Sequence, residues 1–155
     1  MELFFAKCEK RNFKKIPRTY SVKPLVKAGN FCIFPELAIL EYFKKKGYRG
    51  LWVDAFHKKY WTNCDKKCSF DELESDCQKI VRGVEELNNG KISGCWDLII
   101  WKGNKIKFVE SKGKPCHDKI RKSQLDFKNG LMSAKFKEKD FTIIEWDFLK
   151  GNLGK

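Results

Sequence analysis

The sequence lacks the long apolar runs of membrane proteins, since no stretch approaches the roughly 20 residues that a membrane-spanning helix needs. Its N-terminal apolar run is too short for a secretory signal peptide. It also lacks internal repeats and low-complexity segments. Acidic residues are comparatively few, 20 against 33 lysines and arginines. We therefore expect neither a membrane-spanning protein nor a repeat array.

The chain contains seven cysteines, an odd number whose spacing matches no disulfide framework. This pattern predicts an intracellular, reducing compartment: the cytoplasm or nucleus, or those of a host cell if the protein is viral. A structural zinc site at Cys64 and Cys68, with His57 or Cys77 nearby, is an alternative for part of the set. Because the spacing is not that of a zinc ribbon or finger, and no second cysteine pair follows, we do not favour zinc.

The formal net charge of +13 is the main positive clue to a partner. Such a charge favours a polyanion, most simply DNA, because neutralising phosphates releases counterions. Solubility alone does not need so much charge of one sign. A membrane surface is the weaker alternative, since no basic amphipathic helix with an exposed aromatic face is evident.

A length of 155 residues with 42% hydrophobic residues predicts one folded domain over residues 1–155. Within it, residues 1–30 mix basic and aromatic residues and predict an early strand or an extended basic arm. Residues 57–90 predict a cysteine-containing loop followed by a helix. Capping residues, proline, glycine and apolar periodicity predict three helices: one over 36–43, one over 69–87 that begins at a Ser69–Glu72 capping box, and one from an N-cap at Asp118 to residue 131. They also predict strands over 50–56 and 141–146.

The stretch WDLIIWKGNKIKFVESK predicts a β-hairpin, because Gly-Asn at 103–104 is a strong two-residue turn signal between two apolar runs. In that register Asp97 lies directly opposite Glu110, with Cβ atoms roughly 4.5–5.5 Å apart, where like charges destabilise. Lys112 follows Glu110 at the spacing that keeps it on the same face.

Two carboxylates that face each other destabilise a hairpin, and a divalent cation bound between them would offset their repulsion. The alternative is an ordinary surface hairpin with scattered charges. We favour the cation because the acids share their face with residues that should be at least half buried, namely Ile99, Trp101, Ile106 and Phe108. Convergent titratable groups beside apolar residues are typical of functional sites.

The predicted elements place five residues in a recognisable order: Glu36 in PELAILEYFKKKGY, Asp97 in GCWDLIIW, Glu110 and Lys112 in FVESKGK, and Gln124 in KSQLDF. These residues and the order of the elements resemble the PD-(D/E)xK restriction-endonuclease-like superfamily, and more specifically its VRR-NUC branch. The resemblance covers about residues 34–146, and Trp96 stands where the family usually has proline. It implies a mixed central β-sheet flanked by α-helices.

The resemblance implies a Mg²⁺- or Mn²⁺-dependent DNA endonuclease that serves DNA repair or recombination and selects structures (flaps, junctions or nicking sites) rather than sequences. Junction resolution would imply a homodimer, since two symmetric cuts need two sites. Asp97, Glu110 and the backbone carbonyl of Ser111 would bind the metal, and Glu36 would add a ligand directly or through water. Lys112, Glu36 and Gln124 would be the catalytic residues: Lys112 would orient or deprotonate the attacking water, and Gln124 would position the water, Lys112 or a phosphate.

Two alternatives remain open on the sequence. The first is a nucleic-acid-binding module on the same fold whose catalytic site has degenerated. The second is a basic protein-interaction or viral accessory protein with no nucleic-acid function, for which DNA binding would be weak and insensitive to salt.

Overall fold

The computed structural model describes residues 1–8, 23–29, 31–63 and 67–150, and in these residues nine strands and three α-helices form a mixed α/β structure. The strands are β1 (Glu2–Lys7), β2 (Val26–Ala28), β3 (Phe31–Ile33), β4 (Arg49–Asp54), β5 (Lys59–Trp61), β6 (Lys67–Cys68), β7 (Leu98–Lys102), β8 (Lys105–Gly113) and β9 (Phe141–Phe148). The helices are α1 (Pro35–Lys45), α2 (Ser75–Leu87) and α3 (Lys122–Ala134).

The strands form one mixed sheet in the order β3-β2-β1-β9-β8-β7-β4-β5-β6. The β1–β9 and β8–β9 pairs are parallel, and the other neighbours are antiparallel. The prediction of a mixed sheet with flanking helices is confirmed at this level. The predicted hairpin is also confirmed: β7 and β8 pair with Lys102 opposite Lys105 and Ile99 opposite Phe108.

Two apolar cores lie on opposite faces of the sheet, because buried side chains alternate along β7 and β8. Helix α1 covers the face that carries Leu98 and Ile100. Helices α2 and α3 cover the face that carries Ile99 and Phe108. The hairpin at the centre of the sheet is therefore buried on both sides, and the burial expected for the apolar residues beside Asp97 and Glu110 is confirmed.

The predicted start of α2 is wrong. The Ser69–Glu72 capping box is present, but it begins a single 3-10 turn, and α2 starts at Ser75. Leu73 interrupts the helix because it is extended (ψ 149°) and directs a buried side chain into the core.

The predicted N-cap of α3 is also wrong. Asp118 accepts a hydrogen bond from the Gly113 amide at 3.1 Å through Oδ2, so it holds the chain just after β8. The helix begins four residues later, at Lys122. The residues between Asp118 and Lys122 therefore form a loop, in which the Lys119 carbonyl accepts a hydrogen bond from Nζ of Lys112.

Part of the predicted N-terminal arm is sheet, since β1 pairs in parallel with β9 and β2 pairs with β1. Residues 9–22, which also belong to that arm, and Cys64 of the zinc alternative lie outside the described residues. Cys8 and Cys32 form a disulfide with Cα atoms 5.5 Å apart. The cysteine spacing did not predict this bond, and such a bond is a hint of an oxidising setting instead of the expected reducing one. Among the described helices, none is long and apolar enough to cross a membrane.

Candidate metal and phosphodiesterase site

Asp97 immediately precedes β7 and is held in place by both neighbouring strands. Its Oδ2 accepts a hydrogen bond from the Ser111 amide of β8 at 2.8 Å. Its backbone carbonyl accepts a hydrogen bond from the Val53 amide of β4 at 2.7 Å. The carboxylate therefore has a defined position at the open end of the hairpin, next to Glu110, as the register predicted.

Glu110 is the central buried acid, with 2% of its surface exposed. Its Oε2 accepts a hydrogen bond from Nε2 of Gln124 at 2.6 Å. Its Oε1 lies 3.7 Å from Nζ of Lys112, which also donates a hydrogen bond to the Lys119 carbonyl at 3.0 Å. The two-residue spacing in β8 thus brings the lysine and the acid together, as expected for side chains on the same face of a strand.

Gln124 links helix α3 to this strand. While its Nε2 donates to Glu110, its Oε1 accepts a hydrogen bond from the Arg121 amide at 2.9 Å and so satisfies the first turn of α3. The Gln124 carbonyl in turn accepts a hydrogen bond from Nε1 of Trp96 at 3.0 Å. These bonds explain why a glutamine is buried in an otherwise apolar stripe, and why tryptophan is useful at the position before Asp97.

Glu36 approaches from the first turn of α1. The residue is 7% exposed. Its Oε1 accepts a hydrogen bond from Nζ of Lys23 at 2.8 Å, whereas its Oε2 is buried without a hydrogen-bond partner among the described residues. A buried carboxylate oxygen without a partner is costly, and a bound water molecule or a cation would satisfy it.

The electrostatics of Asp97 and Glu36 agree with this geometry. Burial, followed by the charge of Glu110 and a hydrogen bond with it, raises the pKa of Asp97 well above its ordinary value. Burial also raises the pKa of Glu36, although the charge of Lys23 opposes this rise. Removing carboxylates from water and placing them together disfavours their ionised forms, and a cation would restore those forms.

Of the three acids, Asp97 opens onto a cleft of about 400 Å³. Asp97 and Gln124 lie in its wall together with two cationic side chains, Lys23 and Arg121. Phe56, in the turn between β4 and β5, lies at the same cleft and is 89% exposed. The cleft therefore combines carboxylates with cations and one exposed aromatic ring.

The predicted site residues converge in the structure. Four polar or charged residues are buried in the described part of the chain, and all of them belong to the predicted set: Glu36, Glu110, Ser111 and Gln124. Asp97 and Lys112 contact members of this group. Ser111 enters the site through its amide, and metal binding by its carbonyl stays a prediction.

Sequence reasoning missed two residues of the site. Lys23 contacts Glu36 from a segment that the sequence assigned only to a basic arm. Trp96 supports α3 through its indole and packs on Phe141 with ring centres 5.2 Å apart. Its position beside Asp97 was noted only as a departure from the family pattern, although a buried tryptophan usually finds a partner for its N–H.

The oxygen donors present suit Mg²⁺ or Mn²⁺, which prefer carboxylates and carbonyls completed by water. The ligand atoms of Glu36, Asp97 and Glu110 do not all lie within 4.8 Å of one another. Among the described residues, the ligand atoms of Glu74, Asp76 and Cys77 do. Arg49 already pairs with both acids of that second group. The fit at the first site rests on the unpartnered Glu36 oxygen and on the adjoining carboxylates of Asp97 and Glu110.

Comparisons of the chain with family models, with curated proteins and with solved structures find no match.

Proposed function

We propose that this protein is a metal-dependent DNA endonuclease that hydrolyses phosphodiester bonds on a restriction-endonuclease-like core, in the manner of the PD-(D/E)xK superfamily and its VRR-NUC branch. One observation carries the proposal: the buried polar residues of the described chain gather at a single site, where Asp97 and Glu110 adjoin. Burying two carboxylates side by side destabilises a folded protein, so their presence here supports a functional role.

The roles of the side chains follow from their contacts. Asp97 and Glu110 would bind Mg²⁺ or Mn²⁺ with the Ser111 carbonyl, and Glu36 offers a further oxygen through its unpartnered Oε2. When bound, the ion would supply positive charge for the phosphate and acidify a water molecule. Lys112, within 3.7 Å of Glu110, would orient the attacking water or take its proton.

Gln124 has a positioning role in this proposal. Its amide holds Oε2 of Glu110 at 2.6 Å and leaves Oε1 directed toward Lys112. It thereby fixes which oxygen of Glu110 faces the reaction. The short contact from a neutral donor also keeps the second carboxylate oxygen satisfied when the acid is ionised.

The surface of the cleft supports a substrate recognised by shape rather than by sequence. Arg121 and Lys23 offer cations for phosphates, which give affinity without sequence discrimination. The exposed ring of Phe56 offers a stacking face for an unpaired base, as is common where proteins bind single strands. Flaps and junctions present such bases next to duplex DNA, and paired cuts in a junction would require a homodimer.

The decisive experiment is a cleavage assay with Mg²⁺ or Mn²⁺ on duplex, flap and four-way-junction DNA, comparing wild type with Asp97→Ala and Glu110→Ala. We expect both variants to lose at least about 100-fold in rate, the scale on which metal-ligand losses act. Lys105→Ala, at the start of β8 beside the turn of the hairpin, is the matched control and should cleave normally. Clear cleavage by either acid variant would show that the site is assigned wrongly.

A catalytically degenerate nucleic-acid-binding module is the alternative. The observation that favours it is the hydrogen bond between Lys112 and the Lys119 carbonyl, which takes one of the three N–H donors of the ammonium that hydrolysis would use. That alternative requires salt-sensitive DNA binding by the wild type without cleavage under either metal. Salt-insensitive, weak binding would contradict both readings.

A further inference from the structure

Lys23 is a cation already placed among the acids of the site. Its Nζ lies 2.8 Å from Oε1 of Glu36 and 5.8 Å from the centre of the Trp52 ring. Its charge also opposes the rise in the pKa of Asp97 that burial and Glu110 cause. Burial alone would lower the pKa of Lys23, but the charge of Glu36 and the hydrogen bond to it raise that pKa instead.

The arrangement does not satisfy Glu36 completely. An ammonium on one oxygen leaves Oε2 buried without a partner among the described residues. A divalent cation shared with Asp97 would serve both carboxylates, because it accepts several oxygen ligands at once. The Lys23 side chain is 37% exposed, so it has access to the cleft, and its flexible four-carbon stem can reorient.

We propose that Lys23 occupies the cation position beside Glu36 in the metal-free protein and turns to the substrate phosphate when Mg²⁺ or Mn²⁺ binds. This inference rests on the proposed function, because it takes the carboxylates as metal ligands. It gives Lys23 two opposite effects. The lysine competes with the metal for Glu36, and it binds the phosphate of the substrate once the metal has displaced it.

The two effects separate in the Lys23→Met variant, which keeps the apolar stem and removes the charge. Titration with Mn²⁺ alone, followed by electron paramagnetic resonance, should show Mn²⁺ affinity about threefold or more above wild type, since a partly exposed ion pair no longer opposes binding. At saturating Mn²⁺ the variant should cleave DNA at least about tenfold more slowly, because a cation facing the phosphate is lost. Lys27→Met, on the same segment in β2, is the matched control and should behave as wild type. Unchanged or weaker Mn²⁺ affinity in Lys23→Met overturns the proposal.

A measurement on the wild type tests the displacement without any variant. Reductive methylation read by mass spectrometry should label Lys23 severalfold more in the presence of Mg²⁺ than in its absence, because the ammonium leaves Glu36. Labelling of Lys27 should not change. Equal labelling of Lys23 with and without Mg²⁺ overturns the proposal even if Lys23→Met fails to fold.

The outcomes also separate this inference from the proposed function. A wild-type protein that binds no Mn²⁺ and cuts no DNA overturns both. A wild type that binds Mn²⁺ and cuts DNA, while both Lys23 measurements stay flat, overturns the inference alone.

Discussion

The carboxylates of Asp97 and Glu110 adjoin at the open end of the β7–β8 hairpin. The backbone amide of Ser111 donates a hydrogen bond to Asp97, and the side-chain amide of Gln124 donates one to Glu110. Burial and the neighbouring charge raise the pKa of Asp97, so the folded protein is less stable when this carboxyl is ionised. Such strain is typical of functional sites, and its removal is a direct test of the arrangement.

Asp97→Asn should therefore stabilise the metal-free protein at neutral pH, with a rise in Tm of about 3 °C or more. The asparagine oxygen can still accept the Ser111 amide, so the change removes charge and little else. Because the pKa of Asp97 is raised in the folded protein, the wild type loses stability as the pH rises from the ordinary pKa of an aspartate to the raised one, and the loss is complete above it. The advantage of the variant should be largest at neutral pH, shrink as the pH falls, and vanish near pH ~4, the ordinary value of an aspartate.

Thermal melts from pH 4 to pH 8, with EDTA present, measure this difference. Adding Mg²⁺ should raise the Tm of the wild type and leave that of Asp97→Asn nearly unchanged. A variant that is less stable than wild type at neutral pH would show that Asp97 is a structural residue.

Gln124 should be needed for both stability and catalysis. In Gln124→Ala the buried Glu110 loses a hydrogen-bond donor and the Arg121 amide loses its acceptor, which we expect to lower the free energy of unfolding by about 1–3 kcal/mol. Cleavage should fall by about 10–100-fold, since Glu110 is no longer oriented. Gln124→Glu is the informative control, because it can keep the bond to Arg121 while placing a carboxylate against Glu110.

Denaturant unfolding and single-turnover cleavage distinguish the two contacts of Gln124. Gln124→Glu should be less stable than wild type at pH 7 and recover toward pH 5 as the paired carboxyls share a proton. Equal stability of Gln124→Glu and wild type across this range would contradict a direct contact with Glu110.

The parts of the site that the sequence predicted are those that local rules govern. The Gly-Asn turn sets the register of the hairpin, and the register alone places Asp97 opposite Glu110. Lys112 follows from strand alternation. The roles of Glu36 and Gln124 came from the family resemblance, with helical periodicity placing each on a half-buried stripe.

The parts that were missed depend on packing between distant segments. Lys23 reaches Glu36 because β2 pairs with β1 and β3, a relation that no local pattern in residues 1–30 reveals. The predicted capping box at Ser69 is present but does not begin α2, because burial of Leu73 outweighs helix propensity there. The Cys8–Cys32 pair likewise depends on strand pairing rather than on cysteine spacing.

Gly94 should be sensitive to any side chain because helix α3 lies against it. Its φ is +78°, and a Cβ atom there would come within 2.5 Å of the Ser123 carbonyl oxygen. Gly103 is a matched control, since its φ is +60° but nothing lies within 4 Å of a Cβ atom.

Both alanine variants should lose about 1 kcal/mol or more to backbone strain. Gly94→Ala should lose clearly more and should also slow cleavage, because the clash moves α3 and Gln124 away from Glu110. Denaturant midpoints and cleavage rates check this; equal losses in the two variants would contradict the close approach.

The Cys8–Cys32 disulfide should contribute to stability by closing a loop of sequence separation 24. For a loop of this size the chain-entropy model gives about 3 kcal/mol. Cys8→Ser should lower the free energy of unfolding by this order and abolish any effect of dithiothreitol on the Tm. Cys116→Ser, which replaces an exposed free cysteine, should change neither. If dithiothreitol leaves the wild-type melt unchanged, the bond does not form in solution.

Arg121 should provide one of the phosphate contacts of the cleft, and its contribution can be separated from that of general charge. Its side chain lines the cleft, while its hydrogen bonds with Gln124 use its backbone amide and carbonyl. Arg121→Ala therefore removes the cation and keeps the bond to Gln124. Lys105→Ala removes the same charge beyond the far end of β7, a strand of 5 residues at roughly 3.3 Å each, so it lies well away from the acids.

We expect Arg121→Ala to weaken DNA binding on every sequence and to reduce the slope of log K against log salt by about 0.9, the change for one duplex phosphate contact. Lys105→Ala should leave both quantities near wild type. Fluorescence anisotropy in Ca²⁺ between about 50 and 200 mM salt measures the slopes without requiring cleavage. Equal reductions in the two variants would mean that the net charge attracts DNA without directing it to this cleft.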